Sequence, residues 1–584
     1  MQPVDYTTLV AVCHELRSRW LPARCEQVIQ RDRHTICMAL RTLEQRGWLT
    51  ISWHPQAARL HLGAAPPRQP DTFTFSQQLK HQLSGLALSR IDFLSDWERA
   101  IDLQFAQRPS DPAQWHLYVE VMGKYSNVLL TTAQQDVVTA AHQVSEQQSS
   151  LRPISTGDRY RHPPAIVGTL PQLDESLQSW QARVSLVPGK LWKMLLKAYS
   201  GLSSALAKQL VSAAGLATDA STDSLTAADW QRLYAQWQAW LQALETETFQ
   251  PGWWQSGYTV LGIPPCEPAE LQPLLETYYR DRLNQQAFAQ LSHRLSQKLK
   301  ALLSKLQQKA AGFRQRLAQS TEADRYRAQA DLLMAHLQQW QPGMQTMTLA
   351  DFETGEPTAI ALNPEKNAVQ NAQALYKKHQ KLRRTRDAVM PLLTDVEAEI
   401  SYLEQVESAL MQVPTYESPE DLAALEEIRD ELIQQGYLSD PYQSARKPEA
   451  TPSFHRFQTP GGHELLIGRN NNQNDQLTFK LATDYDLWLH TQEIPGAHVL
   501  LRLNAGEVPS DQDLAYAASF AAYFSRARQS DQVPVVYTEP KHVYKPKGAR
   551  PGMVIYKQER VLWGQPQQAK AVLEGEADRV LAAI

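Results

Sequence analysis

The chain is poor in cysteine. Its 584 residues hold four, Cys13, Cys25, Cys37 and Cys266, with no C-x-x-C pair among them. Neither a zinc knuckle nor a disulfide framework is therefore expected, and such usage suits a reducing compartment. Long apolar runs are missing as well. The opening MQPVDYTTLV has no basic start followed by an apolar stretch, and nothing approaches the roughly 20 residues of a membrane span. The expectation is a cytoplasmic protein without a membrane partner. No phosphate-cradling P-loop, H-E-x-x-H, nucleophile elbow or Cys/His metal spacing occurs. No catalytic residue, metal or cofactor is expected, and the chain reads as something other than an enzyme. Net charge is also scarce, at −4; spread evenly it would disfavour nucleic acid, but it is not spread evenly.

A chain of this length should hold several domains. The fold class expected is multidomain α+β. Residues 1–172 begin with a helical pattern from Thr8 to Leu16, followed by strand-like runs at Glu26 to Gln30, Thr35 to Leu40, Trp48 to Trp53 and Arg59 to Leu62. A helix from Ser76 to Leu83 precedes further strands at Ile101 to Phe105, Trp115 to Val121 and Asn127 to Thr131. Residues 150–172, rich in Pro, Ser and Thr, read as a linker. In 173–272 two amphipathic patterns, Leu191 to Tyr199 and Ala205 to Ala214, are joined by Ser200-Gly201-Leu202-Ser203. That fits a helix-hairpin-helix, whose hairpin amides approach a phosphate, or a plain helical hairpin.

Residues 273–440 read as an antiparallel coiled coil. One arm carries Phe288, Leu291, Leu295, Leu299, Leu302 and Leu306; the other repeats every seven residues at Leu375, Leu382, Val389, Val396, Leu403 and Leu410. The connection 341–362 reads as a β-hairpin tip, and an arm of this length should reach roughly 85 Å. Pro391 should kink or break its helix. From Arg282 to Arg316 there are eight bases and no acid, and from Asp395 to Asp440 thirteen acids against Arg429 alone; folded together, these stretches should pair. The seven bases from Lys366 to Arg386 are left as candidates for an RNA contact. After a Pro/Ser linker at 441–452, residues 453–584 form a last α+β domain, with Ser510 and Asp513 as a capping box.

The most informative stretch is GRNNNQNDQLTFKLATDYDLWLHTQEIPGAHVLLR, Gly468 to Arg502. Asn474 or Asp475 is placed to cap a short helix from Gln476 to Leu481. Its clustered amides, imidazoles and arginine suit phosphates and base edges, or else a loop whose amides cap their own backbone. Further on, Lys541 to Arg560 holds six bases and one acid with Tyr544 and Tyr556 between them, the mixture of charge and stacking rings that binds RNA. Earlier in the chain stand W-E-R at Trp97 to Arg99 and E-V-M-G-K-Y-S-N at Glu120 to Asn127. Taken alone, Glu98–Arg99 reads as a solvated pair at a strand edge.

Together these segments resemble the NFACT family. G-R-N-N-x-x-N-D, W-L-H-T and I-P-G-x-H-V match its RNA-binding domain, NFACT-R. The two earlier segments resemble NFACT-N, where an Asp-Arg pair and an E-x-M-G-K-x-S-N turn are linked to gripping the tRNA anticodon arm; here Glu98 stands in place of the Asp. The resemblance implies tRNA-binding roles for Glu98, Arg99, Glu120, Val121, Met122 and Lys124. It also implies RNA contacts for Arg469, Asn470, Asn471, Asn474, Asp475, His490, His498, Arg502, Lys541, Lys545 and Lys547.

By the same resemblance the protein is a ribosome quality-control factor. It would bind a large subunit (rRNA and ribosomal proteins) obstructed by peptidyl-tRNA, as a monomer, and recruit tRNA, alanyl-tRNA by analogy with bacterial members. The subunit's own peptidyl transferase would then add an untemplated alanine tail. Two rivals belong to other classes. NFACT-N also resembles the formamidopyrimidine-type DNA glycosylases, but removal of Met1 would expose Gln2 instead of the proline nucleophile, with no adjoining Glu. A fibronectin-binding surface adhesin would need an export signal.

Overall fold

The computed structural model describes residues 1–67, 70–149, 151–439 and 454–582, with 576–582 as helical backbone alone. The linker expected at 441–452 lies outside the described residues. The chain divides into two compact units, Met1–Leu283 and Asn284–Ile584.

The first unit is built on a nine-stranded antiparallel sheet in the order Arg59–Gly63, Arg46–Ser52, Thr35–Arg41, Ala23–Asp32, Ala87–Phe93, Ala100–Ala106, Trp115–Glu120, Asn127–Thr132, Val137–Ala140. Its middle seam is thin, since Ala23–Asp32 and Ala87–Phe93 pair only at Ala23–Leu88 and Arg24–Ala87. The helix Tyr6–Trp20, capped by Asp5 (Thr8 N–H to Oδ1, 2.9 Å), buries Leu9, Val12, Cys13 and Leu16 against it. Residues 151–160, expected as linker, instead fold onto the sheet: Ile154 bridges Val144, and Arg159 bridges Asp136. The reason is a buried tether, in which Arg152 and the Tyr160 hydroxyl both bond the Glu120 carboxylate, while Tyr160 stacks on Tyr118 at 3.8 Å. Beyond it, helices Leu177–Val184, Leu191–Ala198, Ser204–Ala213 and Ala227–Glu245 enclose Trp180, Trp237, Trp240 and Tyr199.

In the second unit the heptad reading yields Ala368–Met411 as one continuous helix. Pro391 does not break it. The ring sits on the exposed face, where a backbone carbonyl deprived of its partner is solvated by water. The facing arm is interrupted, with Leu271–Ser320 followed by Ala323–Ala335. The tip hairpin, Thr346–Ala350 with Pro357–Ala361, is sealed by Met347, Leu349 and Ile360 against Leu332, Leu333 and Ala372. Past Met411 the chain doubles back as Pro419–Gln434, and Leu425, Ile428 and Leu432 join Leu295, Leu299 and Leu403 in a three-helix base.

Residues 454–582 form a six-stranded sheet ordered His455–Gln458, Glu464–Ile467, Val499–Leu501, Leu487–Thr491, Val533–Thr538, Arg560–Gly564. The helix Asp511–Tyr523 covers one face through Ala517, Phe520 and Ala521. Its Ser510–Asp513 capping box is present, and Asp513 also accepts the Gly461 N–H at 2.7 Å, anchoring the Pro460–Gly462 turn.

Candidate nucleic-acid interfaces

Sheet register brings the two N-terminal motifs together. Ala100 pairs with Glu120, and the Val121 N–H donates to the Arg99 carbonyl at 2.8 Å. Segments 20 residues apart in sequence thus end side by side. Their side chains divide sharply. Glu98, Glu120 and Val121 are buried, Arg99 and Met122 half-buried, and Lys124 exposed. Glu120 is 1% exposed and already bound by Arg152 and Tyr160, so its carboxylate holds the strap in place and presents nothing to a ligand. Arg99 donates from Nη1 to the Val4 carbonyl at 3.3 Å; burial holds its pKa below the usual guanidinium value, with Asp5 opposing. Tyr125, 71% exposed beside Lys124, was not singled out from the sequence, and the Lys124 ammonium lies 4.8 Å from its ring.

A wedge sets the position of Glu98–Arg99. Trp97 adopts φ 66°, costly for a bulky side chain, and packs against Tyr6 and Trp240. A Cβ on Gly201 would come within 2.9 Å of its ring. The helix-hairpin-helix turn thus packs its Gly201 on Trp97, and Ser203 adds a 2.6 Å bond to Asp5. Close by, Gln2 is pinned by Tyr278, Tyr279 and the Tyr258 backbone.

The Asn-rich motif is folded inward. The short helix starts earlier than expected: it spans Asn471–Gln476 with Asn470 as cap (Gln473 N–H to Oδ1, 2.9 Å), and Leu477–Leu481 continues as a wider turn. Asn474 and Asp475 lie inside it because Asn470 has the extended backbone that a cap requires. The remaining amides meet acids of Pro419–Gln434. Asn470 and Gln473 both donate to Glu427, and Asn471 donates to Glu431 at 3.0 Å. Arg469 pairs with Asp421 at 3.3 Å. Arg526 adds contacts to Glu404 and Glu407. Five of the thirteen acids expected to neutralise the basic arm, Glu404, Glu407, Asp421, Glu427 and Glu431, are used here, while Arg314 meets Glu397 at 2.6 Å. Asn474 accepts the His498 N–H at 3.0 Å, and Asp475 accepts the Gly552 N–H and binds Lys545.

At the centre of this junction Glu431 is 1% exposed and also accepts the Tyr402 hydroxyl at 2.7 Å. Burial pushes its carboxyl up to about 7, against the pull of its Tyr402 and Asn471 hydrogen bonds. The guanidinium of Arg550 is held between the Tyr402 and Tyr437 rings.

His490 and His498, read from the sequence as RNA contacts, are core residues, 9% and 1% exposed. Burial drives His490 down to about 4 and His498 well below the ordinary imidazole value, so both are neutral near pH 7. The Thr478 hydroxyl has a single proton, directed at the Asn474 carbonyl (2.8 Å). It therefore accepts from His498 Nδ1 (2.7 Å) and Trp488 Nε1 (3.1 Å). Arg502 is half-buried against the buried Asp486 at 3.4 Å.

The basic patch splits in two. Lys545 is exposed but paired with Asp475 and Arg550 is half-buried, whereas Lys541, Lys547, Lys557 and Arg560 are exposed and none of them reaches the Asn-rich stretch. Lys541 pairs with the exposed Glu539; Lys547 has no carboxylate partner among the described residues. Tyr544 lies 5.7 Å from the Lys557 ammonium. Trp563, 61% exposed on the edge strand with Val561, extends this surface. Among the described residues no three His, Cys, Asp or Glu side chains gather to hold a metal, and no helix is long and apolar enough to cross a membrane.

Two family models match the chain: NFACT N-terminal and middle domains over residues 5–451, and NFACT protein RNA binding domain over 453–558. The chain is 30% identical to the Rqc2 homolog RqcH of Bacillus subtilis (strain 168), over 95% of this chain and 96% of that protein. It is 31% identical to the Rqc2 homolog RqcH of Streptococcus suis (strain 05ZYH33), over 95% and 97%. A solved structure of the C-terminal part of the Streptococcus suis fibronectin/fibrinogen-binding protein aligns at TM-score 0.37 and 33% identity, over 48% of this chain and 95% of that one. With both models in chain order and relatives matched along nearly their whole length, the chain belongs to the NFACT family and carries its RNA-binding domain.

Proposed function

We propose that this protein is a cytoplasmic, ribosome-associated quality-control factor. It binds large subunits obstructed by peptidyl-tRNA and holds an incoming tRNA. The subunit's own peptidyl transferase then extends the stalled chain without a template, by alanine if the relatives are a guide. The protein's contribution is positioning, which lowers the barrier by fixing reactants in place and needs no acid, base or metal of its own. It acts as a monomer against ribosomal RNA and ribosomal proteins. The tRNA grip is assigned to Arg99 and the turn bearing Met122, Lys124 and Tyr125, with Glu98 and Glu120 shaping that surface from within. The C-terminal domain meets RNA through Lys541, Lys547 and the neighbouring rings.

The observation that carries this reading is the juxtaposition of Arg99 with the Glu120–Tyr125 turn, in a chain that also holds a family RNA-binding domain. Purifying tagged protein from cells and sequencing the RNA retained on it tests the proposal. Large-subunit rRNA and a narrow tRNA set are expected, and Arg99→Ala should lose the tRNA while keeping the subunit. Recovery of neither RNA with the wild type would overturn the function; equal tRNA on wild type and variant would overturn the assignment of Arg99.

A further inference from the structure

The stretch from Ser176 to Thr218 contains five bases and no acid. Arg183 is spent on Glu175 at 3.2 Å. The other four, Lys190, Lys193, Lys197 and Lys208, meet no carboxylate among the described residues, whereas Arg17, Arg41, Arg152 and Arg232 of the same unit each pair with one. Asp223, in the loop whose Ser221 bridges Lys190, turns its carboxylate to the Ser221 and Thr222 hydroxyls.

These lysines are arranged on a surface. Lys190 caps the helix Leu191–Ala198, and Lys193 and Lys197 follow three and seven residues on, a spacing that puts all three on one helical face, and all are exposed. The stripe is about 10 Å long at 1.5 Å per residue. Trp192 lies half-buried beside it, with the Lys208 ammonium 4.8 Å and the Lys193 ammonium 5.5 Å from its ring. Two ammonium groups drawn to one indole, with no carboxylate to neutralise them, form a cationic surface backed by an aromatic ring. In the hairpin turn beside it, Gly201 packs on Trp97 and Ser203 bonds Asp5.

We propose that the Lys190–Lys193–Lys197 stripe, with Lys208 and Trp192, is a contact for the phosphate backbone of a structured RNA. It lies on the outer face of the first hairpin helix and leaves the hairpin turn to its packing role. The inference rests on the RNA-directed function proposed above and deepens it by naming a separate surface. A polyanion fits better than a single acidic side chain, because the charges are strung along a line and none meets a carboxylate among the described residues. Phosphate contacts carry no base identity, so this surface supplies grip and orientation, not selection of a particular tRNA.

The test uses the full-length protein, bulk deacylated bacterial tRNA as probe, and two triple variants of equal charge change. One is Lys190→Gln, Lys193→Gln, Lys197→Gln; the other is Arg33→Gln, Lys80→Gln, Arg108→Gln, at exposed sites elsewhere in the unit. Losing three phosphate contacts should lower the slope of log affinity on log salt by about 2.7, so the wild-type advantage shrinks roughly 40-fold between about 50 and about 200 mM salt. The control triple should keep the wild-type slope. The proposal is overturned if the stripe variant keeps that slope, or if both triples lose it equally. It is also overturned if the stripe variant loses only binding to vesicles containing anionic lipid. A wild type that binds tRNA while the stripe variant is unaffected sinks this surface alone; a wild type that retains no RNA from cells sinks the function beneath it.

Discussion

The Glu120–Asn127 turn and the Arg469–Asp475 stretch both carry family motifs, and they use their polar groups in opposite ways. The turn keeps one charge inside, Glu120 on Arg152 and Tyr160, and leaves Lys124 and Tyr125 in water. The Asn-rich stretch turns nearly everything inward, onto Asp421, Glu427, Glu431 and Lys545. The difference lies in the neighbours. A lysine with no carboxylate in reach stays available to a ligand, while an amide beside a half-buried acid is worth more as that acid's donor, because a buried carboxylate left short of hydrogen bonds is expensive. The same motif vocabulary therefore leaves side chains in water in one place and makes a fastening in the other.

The comparison can be broken most directly at the fastening. Asn470→Ala with Asn471→Ala removes donors from Glu427 and Glu431 and should cost roughly 2–4 kcal/mol, seen as lost amide-exchange protection across Leu487–Leu501. Lys124→Ala with Tyr125→Ala should leave protection within about 0.5 kcal/mol of wild type while weakening tRNA binding. Unchanged protection in the amide variant would mean that the motif is a contact surface after all.

Next in size is a pH effect. The folded pKa of Glu431 is raised to about 7, so the fold favours its protonated form. That contribution is complete below the ordinary carboxyl value and is lost as pH rises through about 7. Between about pH 5 and pH 8 the Glu431 contribution should fall by about 2 kcal/mol, read as the difference between wild type and Glu431→Gln, which mimics the protonated acid. Equal slopes for wild type and variant would remove Glu431 from the account. The two buried histidines act in the other direction. Their lowered pKa values give stability above the ordinary imidazole value that is lost as pH falls toward about 4 for His490, so protection should peak between the two limbs.

Smaller effects sharpen the outer surface. Trp563→Ala should reduce RNA affinity by about 1–2 kcal/mol if its ring stacks on a base, with no change in unfolding. Smallest is a contrast of two lysines. Lys547→Ala should lower the salt slope by about 1, whereas Lys545→Ala, whose ammonium already sits on Asp475, should leave it nearly unchanged.

Much of the architecture was legible locally. The heptads from Leu375 to Leu410 specify Ala368–Met411, and the strand alternation and turn at Met122–Ser126 specify the hairpin around it, because periodicity and turn chemistry act over a few residues. The 151–160 strap was not legible, since Arg152 and Tyr160 look like ordinary linker residues until Glu120 is placed beneath them. That Pro391 leaves its helix continuous was not legible for a related reason: its cost depends on which face of the helix it occupies.

The family-like motifs, the helical arms, the α+β ends and the uneven charge are properties of the sequence itself. Which polar groups face a partner was decided only in three dimensions. His490, His498 and Asn471 have the chemistry of RNA contacts, but packing buries both rings and sets Glu431 against the amide. Lys190, Lys193 and Lys197 look like ordinary solvated lysines, yet the fold lines them up with no acid to meet among the described residues. Composition records the charges; whether each one is already neutralised depends on distances between residues far apart in the chain.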